Sequence, residues 1–213
     1  MAEITLYDYD RSSASYRVRI ALNFKGVPYR SVPVNLAEGA QASPEFRAAN
    51  PQGFVPMLEE GGQRITQSLA IIDYLDATRP EPPLVPGDPA DRAHVAALAL
   101  TIACDIHPLN NLRVLKHLVG PLRQSEEANN DWIARWIGDG FAALEALAAQ
   151  RDARFLSGDR PGLADICLVP QMYNARRFGV PLEEYPRLVA ADAAATALEP
   201  FAAAHPDRVA PAA

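Results

Sequence analysis

An α/β domain followed by an all-α domain is the architecture that this 213-residue sequence predicts. Three observations carry it. The first eighty residues alternate strand-like and helix-like segments, a proline-rich stretch then breaks all periodicity, and the remainder is helical and alanine-rich with no convincing strand.

The elements follow in order. "EITLYD" (3–8) alternates as a strand, and "SYRVRIALNFKG" (15–26) keeps a helical pattern until Gly26 stops it. "YRSVPV" (29–34) is a second strand, pushed towards a sheet edge by Pro33, whose missing N–H cannot serve a central ladder. "PEFRAAN" (44–50) makes a short helix. "FVPMLEEGGQRIT" (54–66) reads as a hairpin turning at Gly61-Gly62, and "SLAIIDYLDATR" (68–79) as an amphipathic helix with Leu69, Ile72 and Leu75 on one face. The order βαβαββα suits a mixed four-stranded sheet. "PEPPLVPGDP" (80–89) is the linker. Beyond it, helices are expected over 90–118, 126–150 and 163–178, with two short ones after Pro186, so the two domains are placed at 1–80 and 90–213.

Hydrophobic residues at 49% and charged residues at 22% match an ordinary soluble globular chain. A net charge of -6 argues against non-specific nucleic-acid binding, which needs a basic face. No apolar run of membrane-spanning length is read, nor a basic then apolar N-terminus, so no membrane partner and a cytoplasmic setting are expected. Cys104 and Cys167 have apolar flanks ("IACDI", "DICLV") and no metal-type spacing, and both are expected as reduced, buried thiols.

Several polar motifs interrupt this plan. "RSSAS" (11–15) places Ser12, Ser13 and Ser15 at a helix start, where a hydroxyl accepts backbone N–H bonds. The same hydroxyl, at the positive end of a helix, can also lower the pKa of a thiol. In "FVPML" the residue before Pro56 is held extended, which leaves Val55 either on a sheet edge or free to pair its backbone with an added peptide. "TQSLAI" puts Gln67 and Ser68 at a helix N-terminus, which is a plain cap or a carboxylate site. "CDIHPLNNLR" carries Pro108 inside a helical pattern, so a kink is expected there, with His107, Asn111 and Arg113 on a solvated or ligand-facing side. No second ligand is spaced to make His107 a metal site. "NARRFG" offers Arg176 and Arg177 near a helix end, where cations favour the dipole and guanidinium can grip a carboxylate.

Taken together, "RSSASYRVRIALNFKG", "NPQGFVPML", "TQSLAIIDYLD", "CDIHPLNNLRVL" and "LADICLVPQMYNARRFGV" resemble the zeta class of glutathione transferases over nearly the whole chain. The resemblance implies the glutathione-transferase fold, with a thioredoxin-like N-terminal domain and a helical C-terminal one. It also implies glutathione as cofactor, a homodimer, and cis–trans isomerisation of a maleyl diacid. Maleylacetoacetate, from tyrosine and phenylalanine breakdown, is the first expectation, and maleylpyruvate of gentisate breakdown the alternative. General conjugation or dehalogenation and a non-catalytic glutathione-binding module are the remaining readings.

The same resemblance assigns roles residue by residue. Ser12 matches the family's thiolate-activating serine, with Ser13 and Ser15 as alternates; the motif's cysteine is Ala14 here. Gln52, Val55, Pro56, Gln67, Ser68, His107 and Asn111 fall at glutathione-binding positions. Arg11, Arg113, Arg176 and Arg177 fall to the substrate carboxylates. Tyr7 and Tyr9 are read as packing residues, and Asp165 as a structural helix cap whose usual Ser or Thr partner is replaced by Gly162.

Overall fold

A computed structural model describes residues 3–210. Residues up to Pro83 together with those from Leu198 form one unit, and Leu84–Ala197 form the other.

The first unit is built on a four-stranded mixed sheet. Strands β1 (Ile4–Asp8), β2 (Tyr29–Pro33), β3 (Met57–Glu60) and β4 (Gln63–Thr66) lie in the order β2-β1-β3-β4. β1 runs parallel to β2 and antiparallel to β3, with Leu6 opposite Ser31 on one side and Leu58 on the other. β2 sits at the edge, as Pro33 requires. The β3–β4 turn places Gly61 and Gly62 at φ 57° and 82°, the left-handed pair that a two-residue hairpin loop needs.

Helices α1 (Ser13–Phe24), α2 (Pro44–Ala49) and α3 (Ser68–Thr78) alternate with these strands. α1 is buried along most of its length, because α3 packs on it and so does the short α9 (Glu199–Ala203). The tail from Leu198 was expected to continue the helical domain, yet it clusters with the first unit. Phe201 packs edge-on to Phe24, and the Ala204 carbonyl accepts from Arg19 Nε at 3.1 Å. The tail ends in α10 (Pro206–Val209).

The second unit is helical: α4 (Pro89–Leu100), α5 (Leu112–Val119), α6 (Glu126–Ala148), α7 (Leu163–Arg177) and α8 (Pro186–Thr196). A single kinked helix over 90–118 was expected. Instead the chain passes from α4 through a π-helical turn (Thr101–Ile106) and a 3-10 turn (His107–Asn110) before Asn111 caps a new start at α5. The reason is local: Pro108 has no N–H for the carbonyl four residues back, so the α-register is lost and re-set. Cys167 is buried, but Cys104 lies exposed on the π-turn, contrary to the expectation of two buried thiols. Apolar neighbours in sequence do not fix which side of a helix a residue takes.

One further expectation needs correcting. By length and composition alone, Pro89–Val119 is long and apolar enough to cross a membrane, although Asp105, His107 and Asn111 interrupt the run when it is read linearly. Its residues Val95, Leu98, Ala99, Ile102 and Ile106 are buried in the second unit, where α7 and α6 pack on α4 and the π-turn.

The start of α7 shows how tightly this unit is closed. The Asp165 carboxylate, fully buried, accepts from the backbone N–H groups of Leu156 (2.8 Å), Ser157 (3.1 Å) and Gly162 (3.0 Å). Burial pushes its carboxyl pKa up, while these hydrogen bonds pull it back. The hydroxyl expected at position 162 comes from elsewhere: Ser157 Oγ accepts from Ala164 N at 3.1 Å. A Cβ on Gly162 would lie 2.4 Å from the Leu84 carbonyl oxygen, so no side chain fits there.

Candidate active site

The three serines at the start of α1 separate by burial. Ser13 and Ser15 are 7% and 0% exposed, whereas Ser12 is half-buried. Ser12 is the N-cap, its Oγ accepting from Ser15 N at 3.2 Å. Accepting through a lone pair leaves the hydroxyl proton available, so the cap and a donor to a neighbouring anion are compatible in one residue. Ser15 is fully buried, and its Oγ makes no hydrogen bond among the described residues.

Sequence reasoning missed what fixes this start in place. Arg19, 0% exposed, donates to both Asp8 carboxylate oxygens at 2.7 and 3.0 Å, and to the Asp10 carbonyl at 2.9 Å. It therefore ties the end of β1 and the turn that carries Arg11 and Ser12 to the helix itself. Burial pushes the Asp8 carboxyl up and the Arg19 charge opposes that, so the pair is held by geometry in a site that penalises bare charge. The signal was visible: "RVR" at 17–19 places two arginines inside an otherwise apolar helix, and such charges must find partners when buried.

Two further pieces of the first unit have unsatisfied backbone groups. The Val55-Pro56 bond is cis. Val55 precedes β3, whose pairing with β1 stops at Met57–Tyr7, so its N–H and C=O take no partner in the ladder. At the start of α3, Gln67 adopts φ 72° and no side chain caps the helix. The first-turn N–H groups are then left for a ligand or solvent. The Ser68 hydroxyl is buried at 6% exposure and accepts from Arg17 Nη1 at 3.2 Å. Arg17, itself 2% exposed, is a second residue that sequence reasoning passed over. Gln67 Nε2 donates to Gln52 Oε1 at 2.7 Å, which brings those two predicted residues together on the surface. Tyr7 and Tyr9 pack against a cluster of Val34, Phe46, Val55 and Met57, as expected of them. Arg11 is exposed, with its Nε 4.0 Å from Asp10.

In the second unit, His107 opens the 3-10 turn half-buried. Asn111 caps α5, its Oδ1 accepting from Arg113 N at 3.2 Å, and the Arg113 side chain is exposed. The two arginines at the end of α7 differ. Arg176 pairs with the buried Asp192 at 2.6 Å, while Arg177 is exposed and lies over the Phe178 ring. Burial pushes the Asp192 carboxyl up, and Arg176 opposes the shift.

Comparisons with known proteins show the family and the fold. Residues 6–83 match the glutathione S-transferase N-terminal domain, and residues 130–190 the C-terminal domain. Maleylacetoacetate isomerase of Rhizobium meliloti (strain 1021) is 50% identical over 210 residues, covering 98% of this chain and 99% of the relative. A solved holo structure of maleyl pyruvate isomerase, a bacterial zeta-class glutathione S-transferase, superposes with a TM-score of 0.95 at 45% identity. That match covers 98% of this chain and all of the other. A maleylacetoacetate isomerase from Methylobacterium extorquens AM1, with bound malonate and glutathione, superposes with a TM-score of 0.94 at 39% identity over 98% of this chain and all of that one.

Proposed function

We infer the activity from one premise: the chain belongs to the glutathione S-transferase family. It is a zeta-class enzyme that isomerises maleylacetoacetate to fumarylacetoacetate with glutathione as cofactor, a step in tyrosine and phenylalanine breakdown. The observation that carries this reading is the 50% identity, over 98% of this chain, to an isomerase of that name, joined to the half-buried Ser12 cap.

Three features of the chain fit glutathione. The unpaired Val55 backbone suits strand-like addition of a cysteinyl unit. The uncapped start of α3, with the Ser68 hydroxyl, suits the γ-glutamyl carboxylate. The Ser12 proton suits a thiolate at the positive end of α1. Gln52 and Gln67, already joined, line the same side of the first unit as further donors, while His107 and Asn111 are the glutathione positions that the resemblance assigns in the second.

When bound, glutathione supplies the thiol that adds to the cis double bond and leaves after rotation, so none is consumed. Ser12 holds that sulfur in its ionised form by donating one hydrogen bond. Arg11, Arg113 and Arg177 supply guanidinium groups for the diacid, which carries a carboxylate at each end and builds negative charge at its carbonyl. Arg176 is a weaker candidate, because Asp192 already occupies its fork. Ala14 in place of the family cysteine leaves no protein thiol in the motif.

The first unit, up to Pro83, is proposed as the glutathione-binding domain, and Leu84–Ala197, in place of the expected 90–213, as the domain with the remaining substrate residues. A cytoplasmic homodimer completes the proposal, supported by the family resemblance. Maleylpyruvate is the second reading, favoured by the TM-score of 0.95 to an isomerase of that substrate. Initial rates on both diacids, with and without glutathione, test the assignment. Glutathione-dependent turnover of maleylacetoacetate at the higher kcat/KM is expected; a higher value for maleylpyruvate reverses the two readings, and turnover of neither refutes both.

A further inference from the structure

The second unit contains a cavity of about 150 Å³ that uses none of the residues assigned to glutathione or the diacid. It opens beside the loop that joins α6 to α7 and the first turns of α8. Arg151, Arg154 and Arg187 line it together with His94, while Val95, Phe155 and Leu156 supply apolar wall.

The charges there are not balanced. Arg151 pairs with Asp91 at 2.6 Å. Arg154 rests over the Phe155 ring, 5.1 Å from its centroid, and Arg187 holds Glu145 through its backbone N–H rather than its side chain. Among the described residues, neither the Arg154 nor the Arg187 guanidinium forms an ion pair. The cavity is thus lined by three arginines, all exposed, in a chain with net charge -6. Burial pushes the His94 imidazole pKa down, the Arg151 charge adds to that shift and Asp91 opposes it. The three arginines share one concavity with Val95, Phe155, Leu156, Ala148 and Ala191.

We propose that this cavity is a second ligand site, selective for a small amphipathic carboxylate such as a one-ring aromatic acid. Two guanidinium forks match a carboxylate bidentately, a geometry that a compact ammonium does not offer. The apolar wall takes the ring. The volume sets an upper size, since it lies below the roughly 300–1,000 Å³ of pockets that enclose drug-sized ligands. A tripeptide such as glutathione does not fit it. Occupation reaches the fold directly, because Leu156 and Ser157, which line the cavity, are the residues whose N–H groups hold Asp165.

Calorimetric titration of the full chain, with saturating glutathione present throughout, tests the site. The probes are benzoate, its neutral isostere benzamide, and inorganic phosphate. Benzoate is expected to bind saturably, with benzamide and phosphate each at least tenfold weaker. The double variant Arg154→Gln/Arg187→Gln should lose at least tenfold in benzoate affinity, with its ligand-free unfolding midpoint and its KM for glutathione unchanged. Ala190→Glu, which adds a carboxylate on an exposed part of the wall, should lose as much without removing any arginine. Absence of saturable benzoate binding overturns the proposal. So does benzamide binding as tightly, phosphate binding as tightly, or affinity unmoved in both variants.

Discussion

The starts of α1 and α7 solve the same problem in opposite ways. Each helix must satisfy N–H groups that have no partner within the helix. At α7 the buried Asp165 carboxylate takes the Gly162 N–H and pins the Leu156 and Ser157 N–H groups of the preceding loop, while the Leu163 N–H goes to the Leu84 carbonyl and the Ala164 N–H to Ser157 Oγ. At α1 a half-buried hydroxyl takes one N–H at 3.2 Å and keeps its proton. α3 goes further and has no side-chain cap at all. A fully satisfied helix start serves folding alone, whereas an incompletely satisfied one leaves polar groups for a ligand. The contrast also assigns the supporting arginines: Arg19 and Arg17 are spent on holding the two open starts, not on binding substrate.

Substitutions at the two kinds of start should therefore differ in what they change. The largest effect is expected from Asp165→Ala, which orphans three N–H groups, two of them buried, and should cost about 3–5 kcal/mol of stability. Urea denaturation measures it; a loss under about 1 kcal/mol would mean that the closed start is not what secures α7. Ser12→Ala should instead lower kcat by about 10²-fold, the scale of losing one donor to a developing anion. Its KM for glutathione should stay within a factor of three, and its stability should fall by only about 1 kcal/mol. Wild-type-like kcat would move the thiolate role to Ser13, Ser15 or a tyrosine.

Ser68→Ala comes next, with a KM for glutathione raised about tenfold and kcat at saturation preserved, as for an interaction made equally in ground and transition states. A fall in kcat without a change in KM would contradict the carboxylate role. The smallest effect is Ser157→Ala, which removes the surrogate cap of α7 and should cost about 1 kcal/mol with unchanged kinetics. If Ser157→Ala altered kcat while leaving the melting temperature alone, the distinction between closed and open starts would collapse.

Much of this was legible without coordinates. The period-two and period-3.6 patterns, the glycine pair at 61–62 and the proline run after Arg79 locate the strands and helices of the sheet half, and Pro33 marks its edge. The helix-start motifs at Ser12 and Gln67-Ser68 were legible as places, because cap residues and their spacing are local chemistry. What stayed hidden was long-range. Nothing near Gly162 announces that a carbonyl 78 residues earlier excludes a side chain, or that Ser157 supplies the missing hydroxyl. The exposure of Cys104, the splitting of the helix at Pro108 and the return of the tail to the first unit depend on packing partners remote in sequence.

The sequence by itself determined the order of elements in the sheet half, the helix starts at Ser12 and Gln67-Ser68 and the family, since each rests on short-range steric and hydrogen-bonding preferences or on motifs read in order. The tertiary structure decided which of three adjacent serines keeps a half-exposed hydroxyl, and that Arg17 and Arg19 are buried supports while Arg154 and Arg187 line an open cavity. The physical reason is the same throughout. A residue's chemistry is set by how much water it keeps and which charges it meets, and both come from segments far away along the chain.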